Sequence, residues 1–255
     1  MTENPLKHGR SRIVVWFSCG AASAVAAKLA SEKYKDQDLH VVYCDTLASE
    51  HPDNRRFLAD VENWIGKEVE IIKSEDYDSI DDVFERTRYM SGIAGARCTV
   101  EMKKKPRYDY ERLGDTHIFG LTLDEEKRIT RFTNNNPNLR MDWILKENGI
   151  NKQRCYQIVR EAGISLPVMY SLGFKNNNCI GCVKSTSGKY WNRVRKYFPE
   201  VFQKRCDQSR KINVRLVIYK GKRIFLDELT EDKIDGIEED IECGTICVVE
   251  REQEG

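Results

Sequence analysis

The sequence predicts an α/β protein built on a mostly parallel, twisted sheet with helices on both faces. The prediction rests on three features of the chain. Short apolar runs of strand length recur along its first half, segments with helical periodicity lie between them, and small residues stand where the first strand meets the first helix. Alternating strands and helices are typical of βαβ units, whose parallel sheets are covered by helices on both faces.

The individual elements follow from these runs in chain order. Strands are predicted at 12–18, 39–45, 68–74 and 116–122. Helices are predicted at 21–34, Asn54–Ile65, 79–87, 98–113 and 151–163. A later amphipathic segment, 190–202, should break and restart at Pro199, and 214–229 should form a β-hairpin that turns at Lys220 and Gly221.

Four segments are expected from this pattern. Residues 1–11 form an N-terminal arm, 12–186 form the α/β domain, and 187–229 form a helical and hairpin extension. The acidic, weakly patterned end, 230–255, is expected to be a mobile tail.

Composition and charge limit the classes of function. The 255 residues include 42 Lys or Arg and 41 Asp or Glu, so the net charge of +1 gives no overall field that would attract nucleic acid or a membrane. The first ten residues contain no apolar targeting segment, and no run approaches the ~20 apolar residues of a membrane span. We therefore expect a soluble, cytoplasmic protein.

Nine cysteines are many for such a chain. In a reducing compartment they are expected to be metal ligands, redox thiols or core residues rather than disulfides. Cys19 and Cys44 lie on or beside predicted strands, and Cys155 and Cys206 lie in helical patterns, so these four are predicted to fill the core.

The junction between the first strand and the first helix, residues 18–23, is a candidate anion site. Backbone N–H groups and the helix dipole at such a junction attract negative charge, and side chains without branches let a phosphate approach the main chain. Ser18 and Ser23 could add hydroxyl donors. Neither a P-loop nor a dinucleotide fingerprint is present, so tight packing of the helix on the sheet explains the small residues equally well.

The segment "FSCGAASAVAAKLA" resembles the phosphate-binding loop of the adenine nucleotide alpha hydrolase-like superfamily, which includes ATP pyrophosphatases and the phosphoadenylyl-sulfate (PAPS) and adenylyl-sulfate (APS) reductases. The pyrophosphatase loop reads S-G-G-x-D-S, but Ala22 stands at the aspartate position here, which removes an acid that would help to hold magnesium. The looser reductase form fits better. The resemblance implies that the loop binds a nucleotide phosphate through Ser18, Cys19, Gly20, Ala21 and Ser23.

Three further cysteines form a candidate metal or cluster site. Cys179 and Cys182 form a C-x-x-C in "NNNCIGCVK", and Cys98 lies upstream in "ARCTVEMKKKP". A C-x-x-C with one distant cysteine can hold three corners of an iron-sulfur cluster, and a zinc site or a metal-free pair of thiols is also consistent with the spacing.

Adenylyl-sulfate reductases carry two adjacent cysteines, a lysine and a proline in a similar order. Cys98, Lys103 and Pro106 match this order, while Thr99 stands at the position of the second cysteine. The resemblance implies a [4Fe-4S] cluster with three cysteine ligands and a catalytic role for Lys103. The resemblance covers roughly residues 12–202. This part of the chain looks most like phage and bacterial members of the PAPS reductase family, many of which share "NNNCIGCVK", "YWN" and "FPEVF".

The same resemblance places the nucleotide near the ends of two more strands. It maps Gly120 and Arg128 onto the segment after the fourth strand, where an arginine could grip phosphate or sulfate. It places the adenosine at the segment "SEHPDNRRF", which follows the second strand, and Asp45 at the end of that strand is a further predicted nucleotide-binding residue. A capped amphipathic helix with solvated charges explains Arg128 as well. The aromatic residues of 190–202 are expected to form a buried stripe, with nucleic-acid binding by this segment as the less favoured reading.

The tail contains "IECGTIC". Phosphoadenylyl-sulfate reductases end in a segment with Glu-Cys-Gly, and Glu242, Cys243 and Gly244 match these letters, although the histidine that usually follows is absent and Cys247 is extra. The resemblance implies that Cys243 attacks the sulfate sulfur. A tail cysteine without this function remains the alternative.

Two classes of function follow. The favoured one is a thiol-dependent reductase of an adenylyl-activated sulfate, which would bind an adenosine nucleotide (PAPS, APS or ATP) and take electrons from a thioredoxin-like partner. The other is an adenylating iron-sulfur sulfurtransferase that acts on a base of tRNA or DNA and does not need the tail. A non-enzymatic nucleotide-binding module is a third reading.

Overall fold

The computed structural model describes residues 11–92 and 95–234. The strands are β1 (Ile13–Phe17), β2 (Leu39–Cys44), β3 (Glu70–Ile72), β4 (Ser91–Gly92), β5 (Gly95–Ala96), β6 (Thr116–Phe119), β7 (Arg140–Asp142), β8 (Val217–Tyr219) and β9 (Lys222–Ile224). The helices are α1 (Ala21–Lys33), α2 (Asn54–Ile65), α3 (Ile80–Thr87), α4 (Arg97–Thr99), α5 (Lys105–Tyr110), α6 (Glu126–Asn135), α7 (Ile144–Glu147), α8 (Lys152–Glu161), α9 (Val168–Ser171), α10 (Gly188–Tyr197) and α11 (Pro199–Ile212). None of the helices in these two stretches is long and apolar enough to cross a membrane.

The chain packs into two compact units. Within the described residues, the first unit comprises 11–45, 52–73 and 106–167, and the second comprises 46–51, 74–92, 95–105 and 168–234. The second unit thus takes in 74–105, a segment expected to belong with the α/β domain. The two compact units therefore do not coincide with the four predicted segments. Those segments remain a prediction.

A five-stranded parallel sheet forms the first unit, in the order β3-β2-β1-β6-β7. β1 lies at its centre, and all five of its residues, IVVWF, are buried. Such apolar runs suit a strand that is covered on both faces. The sheet winds outward in both directions from β1, so a crevice is expected where β1 and β6 end side by side.

Ring contacts show that helices cover both faces of this sheet. Phe17 of β1 stacks on Phe57 of α2, with ring centroids 6.5 Å apart. Its neighbour Trp16 points to the opposite face, because successive strand residues alternate, and contacts Tyr110 of α5 edge-on at 6.0 Å. On that face Phe119 also packs against Phe132 of α6. The predicted α/β fold class is therefore confirmed.

An apolar cluster fills the second unit. Trp191 and Val194 of α10 are fully buried, as the predicted aromatic stripe requires, but Tyr197 at the end of α10 is 40% exposed. α10 ends before Pro199, which starts α11, so the predicted break is confirmed. Proline suits the first turn of a helix because it lacks an N–H that would go unpaired there.

The predicted hairpin is also confirmed. β8 and β9 pair antiparallel, and the turn falls on Lys220 and Gly221, whose φ values of 48° and 73° are both left-handed. Two left-handed residues match the twist of the flanking strands. The predicted helix 98–113 instead starts at Arg97, contains a π-helical turn at Val100–Lys104 and ends at Tyr110.

Candidate functional sites

The junction between β1 and α1 in the first unit is the candidate anion-binding loop. The loop is short, because Ser18, Cys19 and Gly20 alone separate the strand from the helix. Cys19 has a left-handed φ of 54° and is fully buried. A left-handed conformation costs a residue with a side chain about 1–2 kcal/mol, so the surrounding packing must impose it. The loop is therefore held in a defined path.

Hydrogen bonds of two serine side chains hold the loop in this conformation. The Ser18 amide donates to Ser23 Oγ at 3.1 Å, and Ser18 Oγ also lies 3.1 Å from Ser23 Oγ. Ser23 Oγ in turn donates to the carbonyl oxygen of Gly20 at 3.0 Å. These hydroxyls thus shape the loop. An anion would be met by the backbone N–H groups of the first turn of α1, which a helix cannot pair within itself.

Gly120, directly after β6, lies against the loop. A Cβ atom at this position would come within 2.5 Å of the backbone nitrogen of Ser23 and 2.6 Å of its Cα. Only glycine allows such a close approach between the end of β6 and the start of α1. The structure therefore brings Gly120, one of the predicted nucleotide-binding residues, together with the loop residues at the carboxyl ends of β1 and β6.

Arg128 and Asp45 are two further candidate nucleotide-binding residues. Arg128 lies on α6, where its guanidinium pairs with Glu125 Oε1 at 2.7 Å. The Glu125 carboxylate also accepts a hydrogen bond from the N–H of Thr122, the N-cap residue of the preceding turn. The capped helix considered for this segment is thus present, and anion binding by Arg128 remains a prediction. Asp45 follows β2, and its N–H donates to the carbonyl oxygen of Ile72 at 2.7 Å. It lies at the carboxyl edge of the sheet, where β1 also ends.

The C-x-x-C turn in the second unit is the candidate cysteine site. Between Cys179 and Cys182, Gly181 adopts a left-handed φ of 68°, and a Cβ there would lie 3.0 Å from Val201 Cγ1. The Cys182 amide donates to Tyr190 Oη at 2.7 Å. Arg205 Nε donates to the Gly181 carbonyl at 3.2 Å. The turn is thus fastened to α10 by a tyrosine and to α11 by an arginine.

Two titratable groups stabilise this arrangement. Burial raises the pKa of Tyr190 well above its usual value, and negative charge on the neighbouring Cys182 sulfur raises it further, so the phenol stays protonated. Arg205 is held by Asp81, which also pairs with Lys204 at 2.5 Å. Burial alone would raise the pKa of Asp81, but the charge of Arg205 and the hydrogen bonds it receives outweigh this and lower the pKa to about 2.

The segment that carries Cys98 lies in the same unit. Cys98 is partly exposed on α4 and packs against the apolar cluster that contains Cys179 and Cys182. On the π-helical turn that follows, Lys103 and Lys104 are only 7% and 4% exposed. Both side chains are therefore largely removed from water, which is unusual for lysine. Single π-helical turns occur often at functional sites, and this feature could not be read from the sequence.

The donor set fits an iron-sulfur cluster in its chemistry, since all three candidate ligands are thiols in one compact unit. Within residues 11–92 and 95–234, however, no group of three or more His, Cys, Asp or Glu side chains is placed so that it could hold a metal ion. None of the seven cysteines in these stretches forms a disulfide. A small, partly open pocket lies beside Cys179 and is also lined by Phe174, Lys175 and Tyr190.

The predicted tail residues Glu242, Cys243, Gly244 and Cys247 lie outside the described residues.

The fold and these two sites define an α/β protein with a tightly built strand-to-helix loop in one unit and a cysteine-containing turn in the other. Among solved structures, it is similar to the phosphoadenylyl-sulfate (PAPS) reductase from Candida auris in its phosphate complex, with 14% identity and a TM-score of 0.47 over 65% of this chain and 81% of that chain. No family model and no curated protein matches the sequence. So distant a likeness leaves the function to be argued from the chain's own residues.

Proposed function

We propose that the protein is a thiol-dependent reductase of an adenylyl-activated sulfate. The observation that carries the proposal concerns the loop at the carboxyl end of β1. There Gly120 lies so close to Ser23 that a Cβ atom on Gly120 would clash with the Ser23 backbone. The carboxyl ends of the central strands are the usual place for a nucleotide in a doubly wound sheet. Ala22 leaves the loop without an acid for magnesium, which favours a substrate whose phosphate is held but not cleaved by a metal.

The proposed reaction has two steps. The Cys243 thiolate attacks the sulfate sulfur, the bond from sulfur to the bridging oxygen breaks, and the adenosine phosphate leaves with that electron pair. A dithiol partner of thioredoxin type then attacks the modified cysteine, releases sulfite and ends as a disulfide. Lys103 would stabilise the negative charge of the substrate or of the thiolate.

Cys98, Cys179 and Cys182 would hold a [4Fe-4S] cluster in this proposal. Such a cluster, with one iron that has no protein thiolate, would polarise the bound sulfate. The protein's own contribution is to fix the C-x-x-C turn through Tyr190 and Arg205. The proposal also includes a cytoplasmic location, where thiols stay reduced.

The experiment measures sulfite release from PAPS and from APS with a dithiol reductant. Cys243→Ser should abolish release while nucleotide binding persists, and Cys247→Ser serves as the matched control in the same tail. Full sulfite release by Cys243→Ser, or none by the wild type with either substrate, would contradict the proposal.

A second candidate function is the adenylating sulfurtransferase that modifies a nucleic-acid base. The observation in its favour is that Cys98, Cys179 and Cys182 belong to one compact unit, which suits sulfur delivery without the tail. In that case Cys243→Ser should leave activity intact, while Cys182→Ser should abolish it.

A further inference from the structure

Positive charge is concentrated in one part of the second unit. Residues 168–226 contain 14 Lys or Arg but only Glu200 and Asp207 as acids. The 14 are Lys175, Lys184, Lys189, Arg193, Arg195, Lys196, Lys204, Arg205, Arg210, Lys211, Arg215, Lys220, Lys222 and Arg223. The net charge of +1 for the whole chain therefore conceals a strongly basic segment. An argument against a polyanionic partner from net charge alone fails for this unit.

Some of these cations already have carboxylate partners. Lys204 and Arg205 pair with Asp81, and Arg210 pairs with Asp227 and Glu228. These groups hold α11 in place. They leave little net charge for a partner.

Six of the exposed cations in this segment have no carboxylate partner in the described chain. Lys189 and Lys196 lie on α10, and the other four lie on or close in sequence to the β8–β9 hairpin. These four are Lys211, Arg215, Lys222 and Arg223, which we name the basic ribbon. Arg223 Nη1 donates to the Arg215 carbonyl at 3.2 Å, which joins two of its members across the ribbon. The Arg215 guanidinium also lies 4.5 Å from the centre of the Phe225 ring, and this cation–π contact helps to hold it in position.

Protection of a sheet edge explains only part of this pattern. Lysine on an edge strand discourages pairing with other chains, and this would account for Lys222 and Arg223 on β9. Lys211 is on α11 and Arg215 precedes β8, so neither guards that edge. Their exposure close in sequence to the β8–β9 hairpin points to a partner with distributed negative charge.

We infer that the basic ribbon binds the phosphodiester backbone of a nucleic acid. Two-stranded β-ribbons fit the groove of a duplex, and Lys and Arg supply the phosphate contacts that dominate such binding. A membrane surface fits less well, because Ile218, at 37%, is the ribbon's single exposed large aliphatic residue in the described chain. The inference does not rest on the proposed reaction, since binding can be measured without turnover.

The experiment measures binding of the full chain to a labelled RNA hairpin, a DNA duplex and a DNA single strand, by fluorescence anisotropy over a series of salt concentrations. Each phosphate contact adds about −0.9 to the slope of log affinity against log salt for duplex DNA. The test variant combines Lys211→Ser, Lys222→Ser and Arg223→Ser. Between ~50 and 200 mM salt, the affinity of the wild type should therefore fall by a factor about 40 times larger than that of the variant. Which of the three probes binds best identifies the nucleic acid.

The matched control removes the same charge elsewhere. The control variant combines Lys67→Ser, Lys127→Ser and Arg131→Ser. These three residues lie in the first unit, are exposed and have no carboxylate partner within the described residues. This variant should keep the wild-type slope. Arg223→Lys alone, which keeps the charge, should also bind like the wild type.

Three results with the nucleic-acid probes would overturn the inference. They are a wild type that binds no probe at ~50 mM salt, a ribbon variant whose slope equals that of the wild type, and a control variant that loses as much as the ribbon variant. Binding to anionic vesicles that depends on the ribbon, without binding to nucleic acid, would also reject it. Thermal unfolding of each variant shows whether it is folded.

Discussion

Replacing Gly120 with alanine tests whether the close approach of β6 to the loop has a function. The new Cβ would lie 2.5 Å from Ser23 N and 2.9 Å from the Ala22 carbonyl carbon, both of them backbone atoms. Ordinary contact would require a separation of about 3.5 Å or more, so the first turn of α1 must move by roughly 1 Å. Overpacking of this kind costs about 1–3 kcal/mol of stability.

The same movement displaces the N–H groups that would meet a phosphate. We expect the dissociation constant for an adenosine phosphate to rise at least about tenfold, which corresponds to about 1.4 kcal/mol. Urea unfolding measures the stability, and isothermal titration measures the affinity. Because both should change together, a control must separate a general loss of stability from a local effect on binding.

Gly163→Ala supplies that control. Gly163 follows α8 with a left-handed φ of 76°, and a Cβ there would meet nothing within 4 Å. Alanine should cost about 1 kcal/mol through backbone strain and leave nucleotide affinity unchanged. If Gly120→Ala binds nucleotide as the wild type does, the reasoning about the loop is refuted. It is equally refuted if both variants weaken binding alike.

Three further predictions concern the other features. Protein purified without oxygen should contain about four irons per chain, and Cys98→Ser or Cys182→Ser should remove them; a colourless protein with one zinc would reject the cluster. Ser18→Ala with Gly20→Val should weaken nucleotide binding and leave the fold intact, because a branched side chain fills the anion's place; unchanged affinity would assign the small residues to packing. Asp81→Asn should lower the free energy of unfolding at pH 7 by ~2 kcal/mol. Since the pKa of Asp81 is lowered to about 2 in the folded state, its contribution should be lost as the pH falls from about 4 to 2, and unfolding curves of wild type and variant that stay equally far apart at low pH would contradict this.

Periodicity predicted the elements whose burial is regular. β1 was predictable because every residue of IVVWF is buried, and α2 because its apolar residues recur on one face. β7 was missed, since Arg140–Asp142 is a short polar strand at the edge of the sheet and has no apolar run. The π-helical turn at Val100–Lys104 was missed because its residues fit a regular helix equally well.

Long-range packing could not be read from local patterns. Nothing in the sequence of 74–105 indicates that it packs with 168–234 rather than with the parallel sheet. A family resemblance assigned Gly120 to the nucleotide site, but its close approach to Ser23 has no signal in the sequence. The burial of Lys103 likewise depends on neighbours that are distant in sequence.

The chain passes between the two units at 45–46, 51–52, 73–74, 105–106 and 167–168. No single truncation can therefore release either unit with its full complement of segments. A protease that cuts one junction should leave a nicked protein rather than two fragments that fold alone. Each unit also requires segments far apart in sequence to meet before it is complete, which slows folding and favours a single cooperative transition. Anyone who wishes to study the cysteine-containing unit by itself must rejoin its segments with new linkers.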